Sequence, residues 1–221
     1  MSDDDKRRAA EAALREVQDG MLVGLGTGST VAFLISALGE RVSEGLRIEA
    51  VATSVASARA AAAVGIAVRD FAEVARVDLT IDGADEVDAR LYAIKGAGGA
   101  MLREKVVAAA STRMVVIADG SKRVEGIGAA KLPVEVLPFA RAFVTARLEA
   151  LGAGVEQREG VTDNGNVILD ARFGAIPEPV RLAAAIDAVP GALGHGLFLG
   201  EVDAAYVASG GTVERIERDE G

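Results

Sequence analysis

The sequence predicts an α/β fold: a mainly parallel sheet covered by helices, with a small α+β domain inserted before the end of the chain. Up to residue 131, short apolar runs of strand length alternate with longer segments whose apolar residues recur at helical spacing. After residue 131 the order changes to strand, helix, hairpin and helix. Half of the 221 residues are hydrophobic and only 4% are aromatic, a composition typical of a tightly wound α/β protein and not of a disordered chain.

In the first part of the chain, helices are predicted between successive strands. A first helix is predicted within 3–18, where charged residues alternate with Ala, Leu and Val at helical spacing. Helices at 30–38 and 57–64 follow, the second ending at Gly65, and a later one contains Glu104. The strands are predicted at 21–25, 48–52, 66–68, 78–81 and 114–118. Strands joined through helices favour one parallel sheet with both faces covered.

The small domain is predicted from a change of pattern after Lys131. The predicted elements are an edge strand at 132–138, a helix at 139–151, a hairpin turn at 163–166 before a strand at 167–170, and a helix at 179–188. The strand at 132–138 is placed at an edge because its prolines cannot donate to a ladder. The apolar run at 205–208 is expected to return to the main sheet. We therefore predict two domains, residues 1–131 with 207–221, and residues 132–206.

Composition and charge narrow the possible functions. The net charge of −9 disfavours nucleic acid as a partner and requires an anionic ligand to be attracted by local groups. The chain has no Cys and a single His, His195, which excludes disulfides, thiolate catalysis and multi-histidine or cysteine metal sites. His195 is interpreted as a loop residue far from the other motifs. No apolar run approaches the roughly 18 residues of a membrane span, and the acidic N-terminus does not resemble a signal peptide, so we expect a cytoplasmic protein without membrane contact.

A glycine-rich segment, Gly24-Leu25-Gly26-Thr27-Gly28-Ser29-Thr30, lies between a predicted strand and a predicted helix. Glycines let the backbone approach a ligand, and the free N–H groups of a helix start favour an anion. A dinucleotide fingerprint would need glycine at position 29, where Ser29 stands, and no Gly-Lys-Ser/Thr follows to make a Walker loop. The alternative is a capped turn without a ligand.

An acidic cluster follows the predicted strand at 78–81. Its members are Asp82, Asp85, Glu86 and Asp88, and open α/β sheets place ligands at the carboxyl ends of their strands. A solvated turn and a Mg²⁺ site are alternatives, although the cluster lacks the spacing of an EF-hand loop. Because crowded carboxylates raise one another's pKa and a neighbouring lysine lowers it, one member is a candidate for acid–base work.

A lysine and a flexible loop come next. Lys95 precedes Gly96-Ala97-Gly98-Gly99, which is too glycine-rich for a helix interior and is interpreted as a loop around a substrate. Glu104 lies near the start of the following helix, where a surface residue that stabilises the helix dipole is the alternative interpretation. Lys122 follows another strand end, so we expect it at the same edge of the sheet.

Together these segments resemble ribose-5-phosphate isomerase of the A type. The matching motifs follow the family's order over most of the chain: Gly24-x-Gly26-Thr27-Gly28-Ser29-Thr30, Asp82-Gly83-Ala84-Asp85-Glu86, Lys95-Gly96-x-Gly98, Arg103-Glu104-Lys105, Ala118-Asp119-x-Ser121-Lys122, Leu132-Pro133-Val134-Glu135-Val136 and Thr162-Asp163-Asn164-Gly165-Asn166. One departure from the motif is Ala97, where the family usually has glycine. The added methyl group would alter the close approach of the backbone only if this residue needed a positive φ.

The resemblance implies an aldose–ketose isomerase of the non-oxidative pentose phosphate pathway, which interconverts ribose 5-phosphate and ribulose 5-phosphate without metal or cofactor. It also implies a Rossmann-like domain with an inserted ferredoxin-like domain, assembled as a homodimer or homotetramer. By position, Glu104 would move the proton between C2 and C1, and Asp82 would serve ring opening and the sugar oxygens. Asp85 and Lys95 would orient the substrate and offset the enediolate charge. The implied substrate-binding residues are Thr27, Gly28, Ser29, Thr30, Asp82, Gly83, Ala84, Asp85, Lys95, Gly96, Ala97, Gly98 and Lys122.

Other functions on related folds are the rival interpretations. A sugar-phosphate sensor would keep the anion loop without needing Glu104 and Lys95, and it normally carries a DNA-binding module, which this sequence lacks. An aminosugar-phosphate deaminase is a second rival. A nucleotide-dependent dehydrogenase is a third, and Ser29 argues against it.

Overall fold

The computed structural model describes residues 3–218. Its helices are α1 (Asp3–Ala13), α2 (Ser29–Ser43), α3 (Val55–Ala63), α4 (Met101–Ala109), α5 (Arg141–Ala150) and α6 (Pro179–Asp187). Its strands are β1 (Leu22–Leu25), β2 (Glu49–Ala52), β3 (Ala67–Val68), β4 (Leu79–Gly83), β5 (Glu86–Val87), β6 (Ala93–Ile94), β7 (Met114–Asp119), β8 (Leu132–Val136), β9 (Gly154–Gln157), β10 (Val167–Arg172), β11 (Ala192–His195), β12 (Leu197–Phe198), β13 (Ala204–Ser209) and β14 (Thr212–Glu217).

The main sheet has seven strands in the order β14-β13-β7-β4-β1-β2-β3. Its neighbours pair in parallel except at β13–β14, which is an antiparallel hairpin. Successive residues of β7 point to opposite faces: Val115 and Ile117 pack with α1 and α2, whereas Met114 and Val116 belong to a cluster on the other face. The predicted mainly parallel sheet between helices, a Rossmann-like arrangement, is confirmed.

The order of this sheet reverses between β1 and β4. The chain proceeds from β1 to β2 and β3 on one side, and from β4 to β7 and β13 on the other. In open α/β sheets the crevice at such a reversal is where ligands bind. The glycine-rich segment after β1 and the acidic segment after β4 both open into this crevice.

The inserted region forms a second, antiparallel sheet. The elements β8-α5-β9-β10-α6-β11 follow the order of a ferredoxin-like unit, and the strands lie in the order β11-β8-β10-β9. Its core includes Val134 and Leu169 from the sheet, Val144 and Leu148 from α5, and Ile186 from α6. The inserted ferredoxin-like unit expected from the sequence is therefore present.

A third, three-stranded sheet joins the two parts in the order β12-β6-β5. Each of its strands has two residues. Leu197 and Phe198 of β12 pair with Ile94 and Ala93 of β6. β6 ends directly before Lys95, so this small sheet fixes the backbone from which that lysine projects.

Two expectations about the inserted region are wrong. β8 lies inside its sheet, paired with both β10 and β11, and is not an edge strand. Pro133 is tolerated because it is the second residue of β8 and the pairing with β11 ends at Val134, so its missing N–H interrupts little of the ladder. His195 is a buried residue of β11 and not a loop residue.

The boundaries of the predicted division, 1–131 with 207–221 and 132–206, stay a prediction. β12 falls within 132–206 and pairs with β6 of the first part, and β13 begins at Ala204. Between residues 3 and 218, no helix is long and apolar enough to cross a membrane.

Candidate active site

The crevice at the reversal point holds a cleft of about 320 Å³. It lies between the segment that joins β1 to α2, the segment that follows β4, and the loop between β6 and α4. The residues that line it are Lys6, Thr27, Gly28, Ser29, Thr30, Gly83, Ala84, Asp85, Lys95, Gly96, Ala97, Gly98, Glu104, Asp119 and Lys122. The structure therefore brings together the predicted site residues, with Asp82 directly behind the cleft wall.

Two residues that line the cleft, Lys6 and Asp119, are not among the predicted site residues. Lys6 belongs to α1 and reaches the cleft from outside the motifs, and nothing local in the sequence distinguishes it from other charges of an amphipathic helix. Asp119 had a usable signal, because it ends β7 just before Lys122. Burial alone would raise the pKa of Asp119, but hydrogen bonds from Ser121 and the charges of Lys122 and Lys6 hold it below its usual value.

One end of the cleft is suited to an anion. Gly28, with φ of +131°, precedes the first residue of α2, and the N–H groups at a helix start carry partial positive charge. Lys6 and Lys122 add two ammonium groups beside this helix start. The hydroxyl of Thr27 is held by Thr53 at 2.8 Å. A phosphate-sized anion would meet backbone donors, hydroxyl groups and cations here.

Asp82 is fully buried, and the local backbone is shaped around it. Its Oδ1 accepts hydrogen bonds from the N–H groups of Thr27 at 3.1 Å and Gly83 at 2.7 Å. A Cβ at Gly26 would lie only 1.9 Å from this oxygen, so glycine is required there. Oδ2 lies 2.9 Å from Nζ of Lys95. Burial raises the pKa of Asp82, and the nearby ammonium and the two N–H groups only partly oppose it.

Lys95 is a fully buried lysine between two carboxylates. Its Nζ lies 2.9 Å from Asp82 and 3.2 Å from Oε2 of Glu104, and it donates to the carbonyl of Gly83. The ring of Phe198 covers it, with the centroid 5.3 Å from Nζ. Burial alone would lower the pKa of Lys95, but the two carboxylates outweigh burial and raise it. The lysine is therefore a fixed positive charge.

Glu104 is buried in the first turn of α4, with 2% of its surface exposed. Burial and the charge of Asp82 raise the pKa of Glu104 to about 8, against the opposing effect of Lys95. The alternative of a solvated, dipole-stabilising residue is wrong, because the side chain faces Lys95 and the cleft. A carboxyl group with a pKa near 8 can both accept and return a proton near neutral pH.

Asp85 and the loop after Lys95 are tied together. Oδ2 of Asp85 accepts a hydrogen bond from the N–H of Ala97 at 2.9 Å. Among the described residues other than glycine, only Leu91 has a positive φ, so the methyl group of Ala97 creates no backbone strain. Gly96 does need to be glycine: its φ is +103°, and a Cβ there would lie 2.8 Å from Met101.

The remaining acidic residues of the cluster serve the fold. Glu86 accepts hydrogen bonds from the N–H groups of Gly128 and Ala130, and Asp88 pairs with Arg90. The proposed acidic cluster therefore separates into two residues at the site and two that hold loops. Within residues 3–218, no group of three or more His, Cys, Asp or Glu side chains is arranged to hold a metal ion.

The segment around His195 is close to the site and not far from it as expected. The N–H of Lys95 donates to the carbonyl of Gly196 at 2.9 Å, and a Cβ at Gly196 would lie 2.1 Å from the Lys95 carbonyl. Nδ1 of His195 accepts from the N–H of Leu197, and Nε2 lies 3.2 Å from Asp187. Burial lowers the pKa of His195, helped by Lys105. His195 thus supports the turn behind Lys95 as a neutral side chain.

The sequence is similar to proteins of one family along almost its whole length. The model of the family described as ribose 5-phosphate isomerase A (phosphoriboisomerase A) matches residues 49–211. Ribose-5-phosphate isomerase A of Sphingopyxis alaskensis is 54% identical over 221 residues, covering 98% of this chain and 97% of the relative. The protein of the same name from Gloeobacter violaceus is 52% identical over 216 residues, covering 95% and 94%.

Solved structures agree with this similarity. The fold matches ribose 5-phosphate isomerase A from Neisseria gonorrhoeae with a TM-score of 0.94 and 39% identity, over 100% of this chain and 99% of the other. It matches ribose 5-phosphate isomerase from Plasmodium falciparum with a TM-score of 0.95 and 31% identity, over all of both chains. A D-ribose-5-phosphate isomerase in complex with phospho-erythronic acid matches with a TM-score of 0.92 and 35% identity, over 96% and 97%.

Proposed function

The chain belongs to the ribose 5-phosphate isomerase A family, and on this premise we propose that it interconverts ribose 5-phosphate and ribulose 5-phosphate by proton transfer through an enediolate. The observation that carries the mechanism is the buried row Asp82–Lys95–Glu104, with its ion pairs of 2.9 and 3.2 Å, beside a cleft that offers anion donors at one end. A base, a fixed cation and a phosphate site within one cleft are the groups that this reaction needs.

The phosphate of the substrate binds at the start of α2. The backbone of Gly28 to Thr30, with Lys6 and Lys122, receives it, because these groups bring local positive charge to a chain of net charge −9. The sugar carbons then extend toward Glu104, past the two segments 83–85 and 96–98 that line the cleft. A related enzyme's complex with phospho-erythronic acid, an acid that also carries a phosphate, supports this choice of ligand class.

Glu104 is the base that moves the proton. Starting from the aldose, the carboxylate of Glu104 takes the proton from C2, and the C–H electron pair forms a double bond between C1 and C2. The carbonyl oxygen O1 then carries the negative charge of the enediolate. The protonated Glu104 then donates this proton to C1, the proton of the O2 hydroxyl passes to O1, and O2 becomes the carbonyl oxygen. The ammonium of Lys95, 3.2 Å from Glu104, stabilises the negative charge as it develops on oxygen.

Asp82 and Asp85 have different parts in this proposal. Asp85 lines the cleft and orients the sugar while it holds the N–H of Ala97. Asp82 lies behind Lys95 and is fully buried, so any proton that it exchanges with the sugar oxygens passes through the Lys95 ammonium. Its other task is to keep that ammonium charged and in place.

The test is an isomerase assay on the purified chain with excess EDTA and no added cofactor. We expect ribose 5-phosphate and ribulose 5-phosphate to interconvert, and we expect solvent deuterium at C2 of the aldose recovered from D₂O, because a proton held by Glu104 can exchange before it returns. Activity that disappears in EDTA and returns with a divalent ion would contradict the metal-free mechanism. Ammonia release from an aminosugar phosphate, without isomerase activity, would favour the deaminase alternative.

We also propose that the protein works in the cytoplasm as a homodimer or homotetramer. The inserted unit supports an oligomer, since Phe139 is 97% exposed and Phe143 is 52% exposed on its surface. Sedimentation velocity at micromolar concentration checks the assembly, and a monomer at all concentrations would contradict it.

A further inference from the structure

Arg158 connects the inserted unit to the loop that follows Lys95. The residue comes directly after β9, and its backbone N–H donates to Ile168 of β10. Its Nη1 donates to the carbonyls of Gly96 and Ala97, both at 3.0 Å. Its Nε and Nη2 donate to the two carboxylate oxygens of Asp170 at 3.2 and 2.5 Å. One guanidinium thus bridges a buried strand of the small unit and two backbone carbonyls beside the cleft.

The anchor at the other end of this bridge is rigid. Asp170 lies in β10, which pairs with β8 on one side and β9 on the other, and its side chain is 4% exposed. Lys131 adds a second cation at 3.4 Å. A buried carboxylate with two cationic partners keeps a fixed position. The guanidinium of Arg158 is therefore held by Asp170 on one side and by the carbonyls of Gly96 and Ala97 on the other.

The loop is held at Ala97 from both sides. Its N–H donates to Asp85, which follows β4 of the main sheet, and its carbonyl accepts from Arg158 of the inserted unit. Gly96 and Gly99, with φ of +103° and +80°, give this segment little conformational preference of its own. The loop lines the cleft and leads into α4, which carries Glu104. External contacts therefore have to define its shape.

We propose that Arg158 is a positioning residue for the isomerisation: it fixes the loop of residues 96–98, and through it the sugar-carbon end of the cleft, against the inserted unit. The proposal rests on the proposed function. Arg158 lines a neighbouring cleft and not the substrate cleft, so it acts through the loop and does not touch the reacting atoms. Arginine is needed because a planar fork can serve a carboxylate and two carbonyls at once, whereas a single ammonium cannot.

The location of the contact predicts a specific kinetic signature. Arg158 touches the loop beside the sugar carbons, whereas the phosphate end is built from α2, Lys6 and Lys122. In Arg158→Ala, kcat/KM for ribose 5-phosphate should fall by about 10- to 100-fold, as expected when reacting groups are displaced by about 1 Å. The inhibition constant of inorganic phosphate should change by less than about twofold, since its site does not depend on the loop.

The experiment compares Arg158→Ala, Arg158→Lys and a matched control, Arg172→Met, all with folding checked by circular dichroism. Arg172 lies in the same hairpin and pairs with exposed Glu156 at 3.9 Å, away from the loop. Arg158→Lys keeps a cation beside Asp170, so it preserves the fold and isolates the loss of the carbonyl contacts; its expected loss is smaller than that of Arg158→Ala. The control should keep native kinetics.

Added guanidinium at millimolar concentration provides the second readout. Arg158 is 25% exposed in a neighbouring cleft, so truncation to alanine leaves a site that small guanidinium ions can enter. Saturable recovery of kcat/KM in Arg158→Ala, with no increase in kcat/KM of the native enzyme or of Arg172→Met, would support the positioning role. Folded Arg158 variants with native kcat/KM, or a loss that affects phosphate binding equally, would overturn it. If the native chain itself fails to isomerise ribose 5-phosphate, the proposed function fails instead.

Discussion

At the scale of single residues, the site depends on how three buried charges balance. Asp82, Lys95 and Glu104 would carry a net charge of −1 if all were ionised, in a place with almost no solvent. Glu104 relieves this by holding a proton up to a pH of about 8, while Asp82 stays paired with Lys95 and two N–H groups. Glu104, which lines the cleft, therefore changes its protonation near neutral pH.

Replacing Glu104 by glutamine tests the base. Glu104→Gln keeps the shape and can still accept a hydrogen bond from Lys95, but it cannot take a proton from C2, so kcat should fall by at least about 10²-fold. Initial rates from purified enzyme measure this. Glu156→Gln, which alters an exposed carboxylate of the inserted unit, is the control and should keep native rates. A folded Glu104→Gln enzyme with near-normal kcat would remove Glu104 from the role.

The pH profile tests the raised pKa. Because the free enzyme needs Glu104 as a carboxylate, kcat/KM should rise with pH and level off only above about 8. Steady-state rates between pH 5 and 10, in buffers of constant ionic strength, measure the profile. A plateau already reached at pH 6 would show that an ordinary carboxyl group limits the reaction, in conflict with the burial of Glu104.

Residue types and motif spacing predicted which side chains lie together at the cleft, but not how deeply they are buried. The carboxylates after β4, the lysine and the glycine loop are local signals, and each lies at the cleft or behind its wall. Glu104 is buried beside Lys95, which is covered by Phe198 and bonded through its backbone to Gly196, both nearly one hundred residues further along the chain. The helix sequence alone therefore left a surface residue as an alternative. Lys6 and Arg158 were missed because only the tertiary fold brings them to the site.

At the scale of elements, the starts of α1 and α2 together form the candidate anion site. α1 packs on α2 and on the main sheet, so Lys6 is held over the start of α2 by helix packing and not by a motif. Lys122 lies in the short turn that follows β7 and lines the same cleft. Three elements that are distant in sequence therefore share the task of attracting the phosphate.

Removing these cations should weaken binding of the phosphate group without altering the proton transfer. Lys6→Ala and Lys122→Ala should each raise KM and the inhibition constant of inorganic phosphate together, by about 5- to 50-fold, with a smaller effect on kcat. Arg8→Ala is the control, since Arg8 is a cation of the same helix that pairs with Asp4 on the surface. Unchanged phosphate inhibition in both lysine variants would mean that the phosphate binds elsewhere.

The pattern of apolar residues predicted most helices and the long parallel strands, because each has its own periodic signal. It missed β5, β6 and β12, whose two residues are too few for a period to be seen, and β11, which follows a Pro-Gly turn. β14 had a usable signal: Gly210 and Gly211, both with positive φ, form the two-residue turn of a hairpin. The position of β8 inside its sheet depends on β11, a partner far along the chain.

At the scale of the whole molecule, the buried row Asp82–Lys95–Glu104 reduces stability at high pH. The pKa of Glu104 is raised from about 4.5 in the unfolded chain to about 8 in the fold, so the folded state binds more protons between these values. Stability therefore falls as pH rises through this window. The pKa values of Asp82 and Lys95 are raised as well, and both effects have the same sign.

Glu104→Gln should remove the part of this dependence that comes from Glu104. Relative to the native chain, its free energy of unfolding should increase between pH 5 and pH 9, by an amount on the order of 3 kcal/mol. Urea unfolding at both pH values measures the difference. Glu156→Gln, at the surface, should show no such change. A native chain whose stability rises between pH 5 and 9 relative to Glu104→Gln would contradict the burial of a protonated carboxyl group.

The pairing of β13 with β7 also sets when the main sheet can be completed. β7 spans residues 114–119 and its partner β13 spans 204–209, and the whole inserted unit is made in between. During synthesis, residues 204–209 must therefore leave the ribosome before β7 gains this neighbour, whereas all strands of the inserted unit are made earlier. Until then β7 is an open edge of a partial sheet, able to pair with another nascent copy. The hairpin of β13 and β14 covers this edge once residues 204–217 have been made. A chain released from a ribosome stalled before this hairpin would keep the edge of β7 open and would be prone to self-association.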